Sequence, residues 1–165
     1  MAETRGTSQL RKAGVDHHLH EYRYTGQGPA AGEAAEQLGI EPERMFKSLV
    51  ARADEELVFA LLPATSELSL KKLAAAAGAK HAQMAPPRDA ERATGYQLGG
   101  ISPLGSRRPL RVFVDESALG FERICLNAGG RGKIVELATQ ALFDLTSATA
   151  ADLRAATRWW VNNGV

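Results

Sequence analysis

The stretch Ala93–Gly105, Ala-Thr-Gly-Tyr-Gln-Leu-Gly-Gly-Ile-Ser-Pro-Leu-Gly, constrains the fold more than any other part of the chain. It holds four of the 16 glycines and no charge, and arginines border it at Arg92 and at Arg107-Arg108. It cannot be helical. Gly95, Gly99, Gly100 and Gly105 each weaken a helix, and Pro103 lacks a backbone donor. Nor is it a solvated linker, because Tyr96, Leu98, Ile101 and Leu104 are too apolar to lie in water. An ordered loop remains. Its glycines allow either a tight bend between strands or a backbone that approaches a ligand and offers bare N–H groups. Composition alone leaves both open.

The 165 residues suit one domain, spanning 1–165, with a single core. Hydrophobic residues make up 44% and charged residues 24%, an ordinary globular balance. No run approaches the roughly 18 apolar residues of a membrane span, and Met1-Ala-Glu-Thr-Arg5 lacks a signal-peptide core. No membrane partner is expected, and the expected location is cytoplasmic. The one cysteine, Cys125, excludes an internal disulfide and a cysteine-rich zinc site. With a net charge of +1, any basic surface for a polyanion must be local.

Read in order, the first 14 residues predict a short helix capped at Thr7 or Ser8 and stopped by Gly14. Val15–Tyr24 predicts a strand, with His18, His20, Tyr22 and Tyr24 on one face. Ala31, Ala34, Ala35 and Leu38 follow helical spacing up to Gly39. Met45–Ala53 and Leu57–Pro63 predict a hairpin through Asp54-Glu55-Glu56, the second strand apolar on both faces and therefore central. Ser69 caps a predicted helix with Leu70, Leu73, Ala74 and Ala77 on one stripe, ending at Gly78. A strand near Lys80–Met84 and a helix from Pro87 to Ala93 lead into the glycine-rich stretch. Strands at Leu110–Asp115 and Glu122–Asn127 follow it, then a second glycine cluster, Ala128-Gly-Gly-Arg-Gly132, and a helix over Glu136–Phe143. Hairpins interleaved with helices indicate an α+β fold on a mixed sheet.

Few residues offer chemistry. Lys47 lies inside a strand, on the side of Leu49 and Ala51. It either guards an edge or holds its ammonium against a carboxylate, a phosphate or a developing oxyanion. His18 and His20 share a strand face, but a catalytic zinc needs a third ligand, which only His81 or an unidentified carboxylate offers. No metal is expected. Ser102 misses the Gly-x-Ser-x-Gly spacing by one residue, and Cys125 reads as core. Lys71-Lys72, Arg107-Arg108 with Arg111, and Arg131 with Lys133 are basic clusters, two of which border the glycine-rich segments.

Phe46-Lys47-Ser48-Leu49, Leu68-Ser-Leu-Lys-Lys-Leu73, Gly78-Ala-Lys80, Met84-Ala-Pro86, Ala93-Thr-Gly-Tyr96, Gly99-Gly-Ile-Ser-Pro-Leu-Gly105, Gly130-Arg-Gly132 and Glu136-Leu137 together resemble the YbaK/EbsC family. These are free-standing editing proteins related to the insertion domain of bacterial prolyl-tRNA synthetase. The resemblance runs from about residue 15 to about residue 155. It implies a single domain with a twisted, partly closed mixed β-sheet flanked by helices. It also implies deacylation of mischarged tRNA at the acceptor end without a cofactor, with Cys-tRNA(Pro) as the expected substrate and its own thiol as the nucleophile. Prolyl-tRNA synthetase is implied as a transient partner, and the protein as a monomer or weak dimer. Lys47, Gly99 and Gly100 take the catalytic positions by this resemblance. Tyr22, Thr94, Ile101, Ser102, Pro103, Asn127, Arg131 and Gly132 take substrate-binding ones.

Two positions depart from the family pattern. Where relatives often read Ser-Gly-Gly-Lys-Arg-Gly-Leu-Asp, this chain reads Asn127-Ala-Gly-Gly-Arg-Gly-Lys-Ile134. Asn127 stands for a serine and Ile134 for an aspartate. The loss of that carboxylate weakens the expectation of cysteine and raises alanine, or another small residue, as the alternative. A binding module that holds the acceptor end or a synthetase without chemistry is the remaining alternative. Thr157-Arg-Trp-Trp-Val161 lies beyond the resemblance, and its tryptophans are expected to cap a groove or pack on the domain.

Overall fold

In the computed structural model, which describes residues 3–156, one strand explains where the site can form. β2 (Met45–Ala53) and β3 (Glu56–Pro63) make the expected hairpin, in register from Phe46↔Pro63 to Ala53↔Glu56. The other edge of β2 is shared. Met45 and Phe46 pair in parallel with β6 (Arg123–Asn127), while Ala51–Ala53 pair antiparallel with β4 (Ala82–Met84). Between these partners the edge of Lys47–Leu49 has no strand beside it. The sheet forks there.

The main path of the sheet adds β1 (His17–Glu21), β5 (Arg111–Asp115), β7 (Lys133–Ala138) and β8 (Thr149–Ala151), in the order β1-β7-β6-β2-β3-β5-β8. Parallel and antiparallel pairs are mixed, and the fold is α+β. β3 is central, and Leu57–Pro63 are all buried, as the unbroken apolar run requires. Its Phe59 and Leu61 enter a large core with Leu10, Val112, Val114, Ile124, Leu126 and Leu142. Val58 and Ala60 face the other way, against Leu73 of α3 (Leu70–Ala77). A third cluster joins Ala34 and Ala35 of α2 (Ala30–Leu38) to Met45, Cys125 and Ile134. Each buried Leu, Ile or Phe here contributes roughly 1.5–3 kcal/mol relative to exposure.

Three local expectations need correction. The first helix, α1 (Arg5–Lys12), starts earlier than expected because Thr4 caps it, with Thr7 reaching back to the Thr4 backbone. Glu136 and Leu137 belong to β7, not to a helix. β7 pairs with β1 on one side and β6 on the other, and these two ladders outweigh the helical spacing of Leu137, Ala141 and Leu142. The helix α5 therefore runs Thr139–Thr146. The short edge strand β8 was not expected, since Thr149–Ala151 carries too little pattern to identify. The helix before the glycine-rich stretch, α4, spans Pro87–Thr94. The expectation for Trp159 and Trp160 falls outside the described residues. No helix among the described residues is long and apolar enough to cross a membrane.

Candidate active site

The fork in the sheet opens into a cleft of about 290 Å3. Phe46–Leu49 form one wall, and Leu98, Gly99 and Ile101 of the glycine-rich segment form the opposite one. Tyr22, Tyr24, Gly28–Ala31, Asn127 and Ile134 complete the lining, with Met45 and Ala64 contributing apolar surface. The lining contains one charged side chain, Lys47, and no carboxylate.

Lys47 is half-buried, and its ammonium donates to the Ser66 carbonyl. Burial pushes its pKa below the ordinary 10.5, while the carboxylate of exposed Glu67 acts in the opposite direction. An ammonium has three N–H donors, so one fixes its position and two remain available. Two hydroxyls beside it are orphaned. The oxygens of Tyr22 and Ser48 are both buried without a hydrogen-bond partner among the described residues. Burial, followed by the charges of Glu33 and Tyr24, also raises the Tyr22 phenol above 10.0, so it stays protonated. Leaving a buried polar group unpaired costs about 1–3 kcal/mol. Both hydroxyls share the cleft lining with the half-buried Lys47 ammonium.

The two glycine-rich segments lock together on the far side of the cleft. The Asn127 amide donates to the Gly99 carbonyl at 3.2 Å and accepts from Gly129 N at 2.6 Å. Gly130 N donates to the Gly100 carbonyl at 2.8 Å, and a Cβ on Gly100 would stand 2.5 Å from the Gly130 backbone. Arg131 donates to the Leu98 carbonyl at 2.9 Å and stacks over Tyr24, 5.0 Å from its ring centre. Tyr24 in turn abuts Gly99, where an added Cβ would lie 2.7 Å from its hydroxyl. Gly99 has φ +90, a conformation that favours glycine, and its N–H makes no hydrogen bond among the described residues.

Of the residues singled out in the sequence for catalysis or binding, Tyr22, Lys47, Gly99, Ile101 and Asn127 line one cleft, together with Ile134, the second departure from the family pattern. The others do not. Gly100 was expected to offer a bare N–H, but it donates to the Gln97 carbonyl at 2.9 Å to close a turn. Thr94 is fully buried, donating to the Ala90 carbonyl and accepting from Tyr96 N. Ser102 is fully buried and accepts from Leu104 N at 3.1 Å. Pro103 lines a different cavity. Arg131 works through Tyr24 and Leu98, and the Gly132 carbonyl accepts from Tyr22 N at 2.9 Å, placing that tyrosine. These are positioning residues.

Other chemistry is absorbed by the fold. Cys125 is buried and its thiol is pushed up to about 11, first by desolvation. His20 meets Glu136 at 3.3 Å, and Arg44 meets the same carboxylate at 3.0 Å. Burial opposes ionisation of Glu136, but these hydrogen bonds and the charges of Arg44 and Arg123 hold its pKa below 4.5. No group of three or more potential metal-ligating side chains occurs among the described residues. Sequence reading missed Tyr24, Ser48 and Leu49 as cleft residues. Alternation did place Tyr24 beside Tyr22. Ser48 had no such signal, because the cleft wall is the open edge of β2 rather than one of its faces.

The chain is similar to known proteins. The family model for the aminoacyl-tRNA editing domain matches residues 25–145. The chain is 35% identical over 152 residues to EbsC of Enterococcus faecalis, a candidate Cys-tRNA(Pro)/Cys-tRNA(Cys) deacylase, covering 92% of this chain and 93% of that one. It is 33% identical over 116 residues to the proline–tRNA ligase of Shouchella clausii, covering 70% of this chain but 20% of the ligase. The crystal structure of a candidate trans-editing enzyme for prolyl tRNA synthetase superposes with a TM-score of 0.79 at 26% identity, over 92% of this chain and 96% of that one.

Proposed function

The chain belongs to the aminoacyl-tRNA editing domain family, in its YbaK/EbsC branch, and from that premise we propose that it is a trans-editing deacylase of mischarged tRNA. The observation that carries this reading is the meeting of the Lys47 ammonium with the two orphaned hydroxyls in one small cleft. A volume of about 290 Å3 lies at the lower end of small-molecule sites, which run from roughly 300 to 1,000 Å3. It suits an aminoacyl ester on a terminal ribose, not a base-paired stem.

The ester of an aminoacyl-tRNA is already activated, so its cleavage needs orientation and stabilisation of the oxyanion more than a protein nucleophile. The two free N–H bonds of Lys47 and the free N–H of Gly99 are the donors for that oxygen. Tyr22 and Ser48 hydrogen-bond the amino group or ribose, which satisfies their orphaned oxygens. The substrate is Cys-tRNA(Pro). Its sulfur loses a proton and adds to the ester carbonyl carbon. The bond from that carbon to the ribose oxygen breaks, and the ribose oxygen takes up the proton. The products are free tRNA and a cysteine thiolactone, which water opens to cysteine. Prolyl-tRNA synthetase is the transient partner, and the protein acts in the cytoplasm as a monomer or weak dimer.

A second reading rests on Ile134. With Ala31 and Met45 it makes the cleft wall apolar, and this wall accommodates the methyl of alanine as readily as a thiol. In that case water replaces the substrate thiol as the nucleophile. Release of amino acid from tRNA charged with Cys, Ala, Ser or Pro distinguishes them. Fast release from Cys-tRNA(Pro) is expected. Fast release from Ala-tRNA alone selects the second reading, and tight binding without release from any of the four selects a binding module.

A further inference from the structure

A second cavity, an open groove of about 720 Å3, lies beside α1 and is not part of the cleft. Arg5, Gln9 and Lys12 border it from one face of that helix, at the spacing of successive turns, and Arg108 borders it from the opposite side. No carboxylate lines it. Lys12, Arg107 and Arg108 are all exposed and enter none of the ion pairs formed by the described residues. Arg44, Arg52, Arg111 and Arg123, elsewhere on the surface, each meet a carboxylate. Arg23, Lys71, Lys80, Arg88, Arg92 and Arg131 also form no ion pair among the described residues, but they lie outside the groove. Its lining is set apart by three cations without a carboxylate, Arg5, Lys12 and Arg108.

Arg5 is held by its guanidinium, and Arg107 and Arg108 by their backbone N–H groups. Arg5 donates to the Thr94 carbonyl at 3.1 Å and lies 4.5 Å from the ring centre of Tyr96. Arg107 N and Arg108 N bond the Thr94 and Ala93 carbonyls at 2.9 and 3.0 Å, so all three arginines converge on the C-terminal end of α4. The groove is joined to the cleft by a single stretch of backbone. Gly99 and Ile101 face the cleft, whereas Pro103, Gly105 and Ser106 face the groove. Two residues of extended chain span only about 7 Å.

We propose that this groove binds the phosphodiester backbone of the tRNA acceptor stem while the aminoacyl end occupies the cleft. The proposal rests on the deacylase reading for the identity of its ligand. A carboxylate-free groove lined by Arg5, Lys12 and Arg108 favours a polyanion, since neutralised phosphates release counterions and bind in a salt-dependent way. The cleft is too small for duplex nucleic acid, so the stem must be held outside it. This groove is the adjoining cationic surface.

The test is the double charge reversal Lys12→Glu/Arg108→Glu, at two exposed positions away from the cleft. KM for charged tRNA is expected to rise about tenfold or more, with kcat within about twofold of wild type and the salt dependence of KM reduced by about one to two logarithmic units per decade of salt. Hydrolysis of the same amino acid esterified to adenosine alone should not change. A matched reversal on the α3 side, Lys71→Glu/Lys80→Glu, should leave KM for tRNA near wild type. An unchanged KM in the first variant overturns the proposal, as does an equal rise in both. If the wild type releases no amino acid, binding of uncharged tRNA still decides the matter. Loss of binding only in the Lys12/Arg108 variant supports the groove, and equal binding in both variants overturns it, while the deacylase reading fails separately.

Discussion

Two adjoining stretches of the glycine-rich segment, Leu98–Ile101 and Ser102–Gly105, have opposite fates. From Ser102 to Gly105 the Ser102 hydroxyl, the Leu104 N–H and carbonyl and the Gly105 N–H are all matched within the protein. Ser102 accepts from Leu104 N, Tyr96 donates to the Leu104 carbonyl at 2.7 Å, and Gly105 N donates to Gln9 at 2.7 Å. From Leu98 to Gly100 the carbonyls are held, but the N–H of Gly99 makes no hydrogen bond among the described residues, and Gly99 lines the same cleft as Tyr22 and Ser48, whose hydroxyls are orphaned. An orphaned hydroxyl alone does not locate a site, since the buried Ser117 hydroxyl is orphaned outside the cleft. What distinguishes the cleft is that two such hydroxyls share its lining with Lys47. Glycine content alone does not separate the two stretches.

The glycines themselves provide the largest effect. In Gly105→Ala the new methyl would lie 2.5 Å from the Arg5 backbone at φ +69, and neither the clash nor the backbone can be relieved by turning a side chain. A loss of about 3 kcal/mol in stability is expected, with kcat of the folded fraction near wild type. Gly99→Ala meets only the Tyr24 ring, which can swing. Here about 1–2 kcal/mol is expected for the positive φ, but turnover should fall at least tenfold because that ring borders the cleft. Denaturant midpoints and single-turnover rates on both variants check this. If Gly105→Ala harmed turnover more than stability, the division of the segment would be wrong.

The serines give a smaller contrast. Ser102→Ala removes a satisfied buried hydroxyl and should cost about 1 kcal/mol without slowing turnover. Ser48→Ala removes an orphaned one, so stability should hold or rise slightly while kcat/KM drops several-fold. The smallest effect is in pH. Burial depresses the Lys47 pKa below 10.5, so its charge is lost at a lower pH than that of a solvated lysine. Enzymatic release, corrected for spontaneous hydrolysis, should decline on the alkaline side before pH 10.5. Linkage has the matching sign. Below the depressed pKa the folded state carries the cost of a partly desolvated ammonium, and stability recovers as pH rises through the window beneath 10.5. An alkaline limb centred above that value would show that Lys47 is not the titrating group.

Much of this was legible in the residues. The unbroken run Leu57–Pro63 requires a central strand, and Gly39 and Gly78 end their helices where the spacing requires. Lys47 stood out as a cation on a half-apolar strand. What stayed hidden depends on pairing between distant segments. Glu136 and Leu137 have helical spacing, and only the ladders to β1 and β6 make them a strand. The family pattern grouped Thr94, Ser102 and Pro103 with the pocket because they lie near Gly99 in sequence. In three dimensions the chain turns away from the cleft after Ile101. The role of α1 was also hidden. Thr4 donates to the Ala128 carbonyl at 2.7 Å and Gln9 accepts from Gly105 N, so a helix with little pattern braces both glycine-rich segments.

The central claim is that the open edge of β2, which begins at Lys47, is where the aminoacyl ester is cleaved. Its most direct test is the single-turnover rate of Cys-tRNA(Pro) deacylation by Lys47→Ala, with thermal unfolding of the same sample as the control. The ammonium is half-buried and makes one backbone contact, so its loss should leave the unfolding midpoint nearly unchanged. The rate should fall at least about a hundredfold, the scale of removing one oxyanion donor. A folded Lys47→Ala protein that deacylates at the wild-type rate would contradict the account.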